Sequence, residues 1–394
     1  MKRVIRPGAT LGVLGGGQLG RMFTLAAHEL GYRVHVLASE WNSPCGQAAD
    51  AEFVAGLDDT AKVAEFLAGV DVVTYETENI PVEVIEQASD RIPVCPGRDL
   101  LFLSQHRLRE KGALRDHGFP VCDFLAIDDP HALRQAVQKL GLPSVLKTAS
   151  GGYDGKGQWL LRSDTDLAQV AEEACAAQEP VPVGLPNQAN WILESYVPFE
   201  CEFSVVAVRG SSGEFASYGP IRNDHARHIL DVSCCPALLP RTSTQQALQI
   251  ARDLADTWAI VGVFCIEFFL VADGQVLINE IAPRPHNSGH LTIDAHDSSQ
   301  FEQQVRAICG LPLGSARQSS PAAMANLLGD LWQAGQPHWE AALADPRVKL
   351  HLYGKRDPRV GRKMGHLTVL ADSAEEARHL VLSARDRLLQ FRHD

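Results

Sequence analysis

The stretch 147–158, which reads K-T-A-S-G-G-Y-D-G-K-G-Q, constrains the fold of this chain more than any other. The apolar run Ser144, Val145, Leu146 ends in Lys147, and the loop that follows has glycines at 151, 152, 155 and 157 before a second run, Trp159, Leu160, Leu161. Strand, glycine loop, strand predicts a hairpin whose tip carries little side-chain bulk, so its backbone N–H groups can close over an anion. Lys147 supplies a positive charge beneath that tip. No helix-opening hydroxyl follows the glycines, so this is not the phosphate loop that ends in Gly-Lys-Ser/Thr. The alternative is a flexible surface hairpin.

With 394 residues the chain can form two or three domains. A composition of 45% hydrophobic and 21% charged residues allows large cores. The net charge of -12 argues against a nucleic-acid partner, so an anionic small-molecule substrate needs a local basic pocket on an acidic body. The nine cysteines, at 45, 95, 122, 175, 201, 234, 235, 265 and 309, show no Cys-x-x-Cys spacing, and several lie within apolar runs. That fits reduced, buried thiols in a cytoplasmic protein. Residues 1–7 carry three basic side chains, but the apolar stretch after them is short and broken by glycine. Neither a signal peptide nor a membrane span is expected.

An apolar strand at 10–14 runs into Gly15, Gly16, Gly17, Gln18, Leu19 and Gly20, then a helix over 19–30 closed by Gly31, then a strand at 34–38 that ends in Ser39 and Glu40. This matches the G-x-G-x-x-G dinucleotide fingerprint, with an acid about twenty residues on. It indicates the first βα turn of a doubly wound sheet, and the helix N-terminus there could hold any phosphate. Further strands are predicted at 70–74 and 92–95. Between them Glu76 and Glu78 lie just past a buried strand, where ligands collect in open α/β sheets. They either grip an amine or hydroxyls, or are solvated loop acids.

A helix is predicted over 104–117, capped by Ser104 and closed by Gly118, with Arg107, Arg109 and Lys111 on a solvated basic face. Asp129 and Pro130 start another helix that ends at Gly141. Residues 165–178 read as helix and 180–187 as a proline-rich connector. From Trp191 the chain is rich in strands, and 245–258 is an amphipathic helix.

The apolar runs 261–271 and 275–281 meet at Asp273 and Gly274, the strongest short signal for a two-residue hairpin turn. Such a turn sets Glu267 opposite Glu280 with β-carbons roughly 5 Å apart. Two carboxylates in apolar surroundings repel each other and resist burial. A divalent cation, most plausibly magnesium, resolves both problems with oxygen ligands; alternatively one acid is protonated, or the face is open to water. The loop 282–290 that follows, pinned by Pro283 and Pro285, holds Arg284, His286, Asn287, Ser288 and His290. An arginine there can hold a carboxylate or phosphate in bidentate fashion.

After a small-residue linker at 310–320, strands are predicted at 324–328, 348–352 and 366–370, with a closing helix over 373–388. Between the strands, 353–363 is the densest basic run of an acidic protein, carrying Lys355, Arg356, Arg359, Arg362 and Lys363. It is either a solvated turn or a pocket for a phosphate monoester.

Taken together, the glycine turn at 15–22, the hairpin at 151–158, Asn279 with Glu280 and the loop to His290, and the run Gly361 to His366 resemble the ATP-grasp superfamily. Within it they are most similar to the 5-(carboxyamino)imidazole ribonucleotide synthases of purine biosynthesis. The resemblance covers nearly the whole chain and implies an α/β fold. An N-terminal doubly wound parallel-sheet domain would span 1–103. A central two-part α+β nucleotide-binding domain would span 104–310, with a lid at about 118–197, and a small C-terminal β-rich domain 311–394.

It implies ATP as co-substrate. Arg107 and Lys147 would contact its phosphates, with Gly152, Tyr153, Asp154, Gly155, Lys156, Gly157 and Gln158 over them. Glu194, Ser195, Tyr196 and Val197 would meet the adenine edge, and Glu202 the ribose hydroxyls, with His225 nearby. Glu267 and Glu280 would hold magnesium, in agreement with the hairpin pairing. Asn279 belongs to the nucleotide site of the family, although simple strand alternation points it to the other face. Many ATP-grasp enzymes have an asparagine two residues after the last metal carboxylate; here that residue is Ala282.

The implied reaction joins bicarbonate to the exocyclic amine of 5-aminoimidazole ribonucleotide through carboxyphosphate, giving ADP and phosphate. Arg284 and His286 would orient bicarbonate, Asp154 would contact or deprotonate the amine, and Lys147 would neutralise transferred charge. Gln18, Glu76, Asn287, Ser288, Lys355, Arg359 and Arg362 would place the ribonucleotide. The family implies a homodimer, and the product needs a separate mutase, for which no domain fits after Leu388. The rivals are formate-dependent glycinamide ribonucleotide transformylase, a nicotinamide-dependent dehydrogenase suggested by Gly15 to Gly20, and a non-catalytic nucleotide sensor.

Overall fold

The computed structural model describes residues 4–128, 132–151, 157–176, 190–333 and 335–389. Four parallel strands, β1 (Thr10–Leu14), β2 (Arg33–Ala38), β3 (Ala51–Val54) and β4 (Val72–Tyr75), form the first sheet in the order β3-β2-β1-β4. β1 and β4 are buried at every position, as their unbroken apolar character requires of strands covered on both faces. Helix Gln18–Glu29 buries Leu19, Met22, Phe23 and Ala26 at helical spacing, against Phe301 and Val305 of helix Gln300–Ile308. The strand expected at 92–95 is a single parallel bridge between Val73 and Val94. Pro93 and Pro96 flank it and have no N–H for a ladder.

The second sheet is antiparallel. It consists of β5 (Phe124–Ile127), β6 (Ser144–Thr148), β7 (Gln158–Leu161) and β8 (Trp191–Ser195), in the order β5-β8-β6-β7. The glycine hairpin has the expected form: Lys147 pairs with Gln158 and Leu146 with Trp159. Gly157 closes it at φ +68, where a β-carbon would lie 2.7 Å from Thr148 Oγ1, so only glycine fits. Helices Leu133–Leu140 and Asp164–Ala176 cover one face, burying Leu133, Val137, Leu167 and Val170 against Leu146, Leu161, Trp191 and Leu193.

The helix expected over 104–117 is two, Arg98–Ser104 and Arg107–Asp116. His106 is extended between them, and Ser104 donates its hydroxyl back to the Leu101 carbonyl instead of capping. Gly118, at φ +78, ends the second helix as expected.

The third sheet joins β9 (Phe199–Arg209), β10 (Phe215–Ala226), β11 (Ile229–Cys235), β12 (Gly262–Val271), β13 (Val276–Ala282), β14 (Ala322–Leu328), β15 (Val348–Leu352) and β16 (Lys363–Leu370). It is antiparallel, in the order β13-β12-β9-β10-β11-β14-β16-β15. The C-terminal strands therefore extend the central sheet through the β11–β14 pair, Val232 to Ala325, rather than closing one of their own. β10 contains Gly219 and Pro220, and a break in register between Tyr218 and Ile221 accommodates them. Helix Arg241–Thr257 backs β9, β12 and β13 with Ala247, Ile250, Ala251 and Leu254. Among the described residues the cysteines are free, and no helix is long and apolar enough to cross a membrane.

Candidate active site

The floor of the site is the β12–β13 hairpin. Near its tip Leu270 pairs with Val276, Phe269 with Leu277 and Phe268 with Ile278. The turn spans Ala272–Gly274, with Asp273 at φ 65 and Gly274 at φ 76, so it is one residue longer than the predicted two-residue turn. The register then shifts between Glu267 and Phe268, and Glu267 lies directly opposite Glu280. Asn279 is the extra residue of that bulge. The strict alternation that placed it on the opposite face therefore does not apply.

Each carboxylate of this floor faces a cation. Glu280 Oε2 lies 2.9 Å from Arg107 Nη1, Glu267 Oε1 lies 2.9 Å from His286 Nε2, and Glu202 Oε2 lies 2.6 Å from His225 Nδ1. Burial alone would raise the Glu267 carboxyl, but His286 outweighs it and holds the group down at about 2. Phe269, opposite Glu202 in the ladder, stacks on Phe199 with centroids 4.8 Å apart and planes 8° from parallel. Sequence reasoning passed over this flat apolar surface, although Phe269 stands two residues after Glu267 on the same strand face.

On the lid side Lys147, next to last in β6, has its Nζ 2.7 Å from Glu194 Oε2. Glu194 is thus a buried counter-ion, one strand over. Lys111, expected on a solvated face, has a side chain only 1% exposed, with Nζ 3.6 Å from Glu194 Oε1 and donating to the Asn279 carbonyl at 3.0 Å. Glu110, also buried, is pushed up to about 8 by burial and by Glu280. The available signal was the four-residue spacing of Arg107 and Lys111, which sets both on one helix face. Gln158 pairs in the hairpin, Ser195 ends β8, and Tyr196, Val197 and Phe199 follow it. Gly152, Tyr153, Asp154, Gly155 and Lys156 lie outside the described residues.

The third side is the glycine turn. Glu76 reaches into it from the end of β4: its Oε1 accepts from the Gly17 N–H at 2.5 Å and its Oε2 from the Gly20 N–H at 3.2 Å. A β-carbon on Gly17 would collide with that carboxylate. The anion slot of this helix N-terminus is therefore filled by the protein itself, which leaves no place for the pyrophosphate of a dinucleotide. Arg284 donates from Nε to Glu78 Oε2 at 2.6 Å and from Nη1 to the Pro285 carbonyl at 3.3 Å. Burial raises Glu78, but Arg284 outweighs it and holds the group at about 2. The charges of Glu78, Glu76 and Glu280 all act on Arg284, so it stands between the glycine turn and the hairpin floor. Gln18 opens the helix beside Glu76.

Two loop residues are not where the sequence put them. Asn287 exchanges amide hydrogen bonds with Asn326, at 3.2 and 2.6 Å. Ser288 is fully buried, its hydroxyl 2.7 Å from Ser204 Oγ and 2.8 Å from His286 Nδ1. Asn287 braces the loop against β14, and Ser288 sets the His286 ring. Burial raises the Glu76 carboxyl on balance, and Lys355 of the basic run is among the charges that oppose that rise; it lies 5.7 Å from the Tyr353 ring centroid. Arg362 donates to the Asp357 carbonyl, and Arg359 is 77% exposed beside the Asp357 carboxylate.

The donors suit a hard cation only in a limited way. Glu267 and Glu280 offer carboxylate oxygens, and Asn279 Oδ1 is buried without a hydrogen-bond partner among the described residues. No cluster of three His, Cys, Asp or Glu side chains among the described residues could hold a metal alone. That fits magnesium, which commonly takes one or two carboxylates and completes its shell with phosphate oxygens and water.

Three family models match successive parts of the chain. They are the ribonucleotide synthetase preATP-grasp domain over residues 8–105, the ATP-grasp domain over 112–301 and the phosphoribosylaminoimidazole carboxylase C-terminal domain over 322–380. The chain is 40% identical over 375 residues to the N5-carboxyaminoimidazole ribonucleotide synthase of Bacillus subtilis (strain 168), covering 95% of each. A solved ADP complex of an N5-carboxyaminoimidazole ribonucleotide synthetase superposes with a TM-score of 0.89 at 42% identity, over 99% of this chain and 100% of that one. The Aspergillus clavatus N5-carboxyaminoimidazole synthase in complex with ADP and 5-aminoimidazole ribonucleotide gives 0.85 at 30% identity, over 96% and 99%. This chain belongs to the N5-carboxyaminoimidazole ribonucleotide synthase family of the ATP-grasp superfamily.

Proposed function

We propose that the chain uses ATP and bicarbonate to carboxylate the exocyclic amine of 5-aminoimidazole ribonucleotide, giving N5-carboxyaminoimidazole ribonucleotide, ADP and phosphate. The observation that carries this reading is the Glu267–Glu280 pair on one hairpin, facing Arg107, with Lys147 on the strand that leads into the glycine loop. Magnesium on the two carboxylates would neutralise charge on the phosphates. Lys147 and Arg107 bind those phosphates, and the Phe199–Phe269 stack offers the base an apolar surface beside Glu202.

Arg284 still has Nη2 free of the bonds to Glu78 and Pro285, so its outer edge can take an oxyanion. Arg284 and His286 there orient bicarbonate. A bicarbonate oxygen attacks the terminal phosphorus, the bond to ADP breaks, and carboxyphosphate forms. The amine of the ribonucleotide then bonds to the carboxyl carbon as phosphate leaves, and Asp154 takes the amine proton. The lid keeps water from the acyl phosphate. Gln18 and Glu76 hold the ribonucleotide, and the basic group of Lys355, Arg359 and Arg362 takes its phosphate.

A coupled ADP-release assay with each co-substrate omitted in turn tests this. ADP release should require both bicarbonate and 5-aminoimidazole ribonucleotide; formate in place of bicarbonate would move the chain to the transformylase reaction. Lys355→Ala should raise the KM for the ribonucleotide about tenfold or more and leave that for ATP within about twofold. An equal rise in both would remove the basic run from the substrate site. The chain is further proposed to act as a cytoplasmic homodimer, with its N-carboxylated product passing to a separate mutase; a monomeric mass by light scattering would refute the dimer.

A further inference from the structure

Lys111 has no part in the chemistry above, yet it is one of the most deeply buried charges in the molecule. It shares one carboxylate with Lys147: Glu194 Oε2 lies 2.7 Å from Lys147 Nζ, and Glu194 Oε1 lies 3.6 Å from Lys111 Nζ with no hydrogen-bond partner of its own among the described residues. A phosphate arriving under the lid has to compete with Glu194 for Lys147. If Lys147 turned away and nothing replaced it, Glu194 would be a buried, unpaired anion, a costly state. Lys111 stands on the other oxygen, held in place by its bond to the Asn279 carbonyl, and a small shift brings it into hydrogen-bond range.

We propose that Lys111 is a positioning residue that frees Lys147 for the nucleotide's phosphates by keeping Glu194 paired. This rests on the assignment of Lys147 to the phosphates. It predicts that phosphate affinity depends on Lys111 only while Glu194 carries charge. The alternative, that Lys111 merely pins the bulge at Asn279, predicts the same loss whether or not residue 194 is ionised.

A double-mutant cycle separates the two, with ADP affinity measured by titration calorimetry. Lys111→Met should weaken ADP binding about tenfold or more in the wild-type background and less than about threefold in the Glu194→Gln background. Lys111→Arg should keep most of the affinity. Equal affinity of Lys111→Met and wild type overturns the proposal, and so does an undiminished loss in the Glu194→Gln background. If Lys111→Met alone does not fold, the double variant against Glu194→Gln still decides: a tenfold loss there refutes the idea. ADP binding needs neither bicarbonate nor the ribonucleotide, so a wrong choice of co-substrates would show in the turnover assay and leave this cycle readable.

Discussion

Replacing Glu280 by Gln is expected to lower ATP-dependent turnover by about three orders of magnitude while leaving the fold in place. The side chain is 40% exposed and contributes to no core, and glutamine keeps its shape and an oxygen for Arg107. What is lost is the charge. Arg107 and Glu267 would remain, but one of the two carboxylates proposed to face the phosphates would be neutral, and the charge that develops on the transferred group would go uncompensated. The same change at Glu267 also breaks its ion pair with the buried His286, so stability as well as rate should fall there. Comparing the two variants by ADP release and by thermal unfolding separates rate from folding. A near-normal rate for Glu280→Gln, with an unchanged melting temperature, would remove the metal assignment.

The pairing on which that prediction rests was legible in the sequence, but for an incomplete reason. The Asp273-Gly274 signal predicts a two-residue turn, and both residues do take left-handed backbone angles. The turn nevertheless includes Ala272, and the bulge at Asn279 restores the pairing that the longer turn had shifted. The two departures cancel. No residue type marks that bulge in advance, and the contact made at it, from Lys111 to the Asn279 carbonyl, comes from an element distant in the chain. The place of Glu76 just after β4 was legible, but not its bonds into the glycine turn, which depend on how two βα units sit together. Lys111 was hidden for the opposite reason. A charged residue on a helix with several basic side chains reads as solvated, and only its partner Glu194, 83 residues on, makes burial tolerable. The contacts that sequence reasoning missed are mostly those that join elements distant in the chain.

Mild acid is expected to destabilise the protein through two histidines behind the Arg284 loop. His290 and His366 are both fully buried, with ring centroids 5.0 Å apart. His366 Nδ1 lies 3.0 Å from the Tyr353 hydroxyl, and the Nε2 of each ring has no partner among the described residues. His351 stacks on His366 with centroids 4.5 Å apart and holds Asp294 at 2.8 Å. Burial first, then nearby positive charge, pushes both pKa values well below 6.5. In the folded chain these rings stay neutral while the unfolded chain takes up protons near pH 6.5. Their stabilising contribution is therefore complete above that pH and is lost as pH falls below it. From pH 6.5 to 5.5 each ring should cost about 1 kcal/mol, so the pair should cost about 2 kcal/mol. Other groups titrate in the same range in both senses. His296, pushed down to about 4 by burial, adds to the loss, and Glu110, pushed up to about 8, opposes it. The difference between wild type and His366→Phe, which keeps a ring but cannot ionise, isolates one member. Urea unfolding at pH 6.5 and 5.5 should show the variant losing about 1 kcal/mol less than wild type across that interval. Equal losses would mean that His366 either accepts a proton in the folded state or is reached by water. The loop that carries Arg284 and His286 would then not rest on a neutral stack of imidazoles.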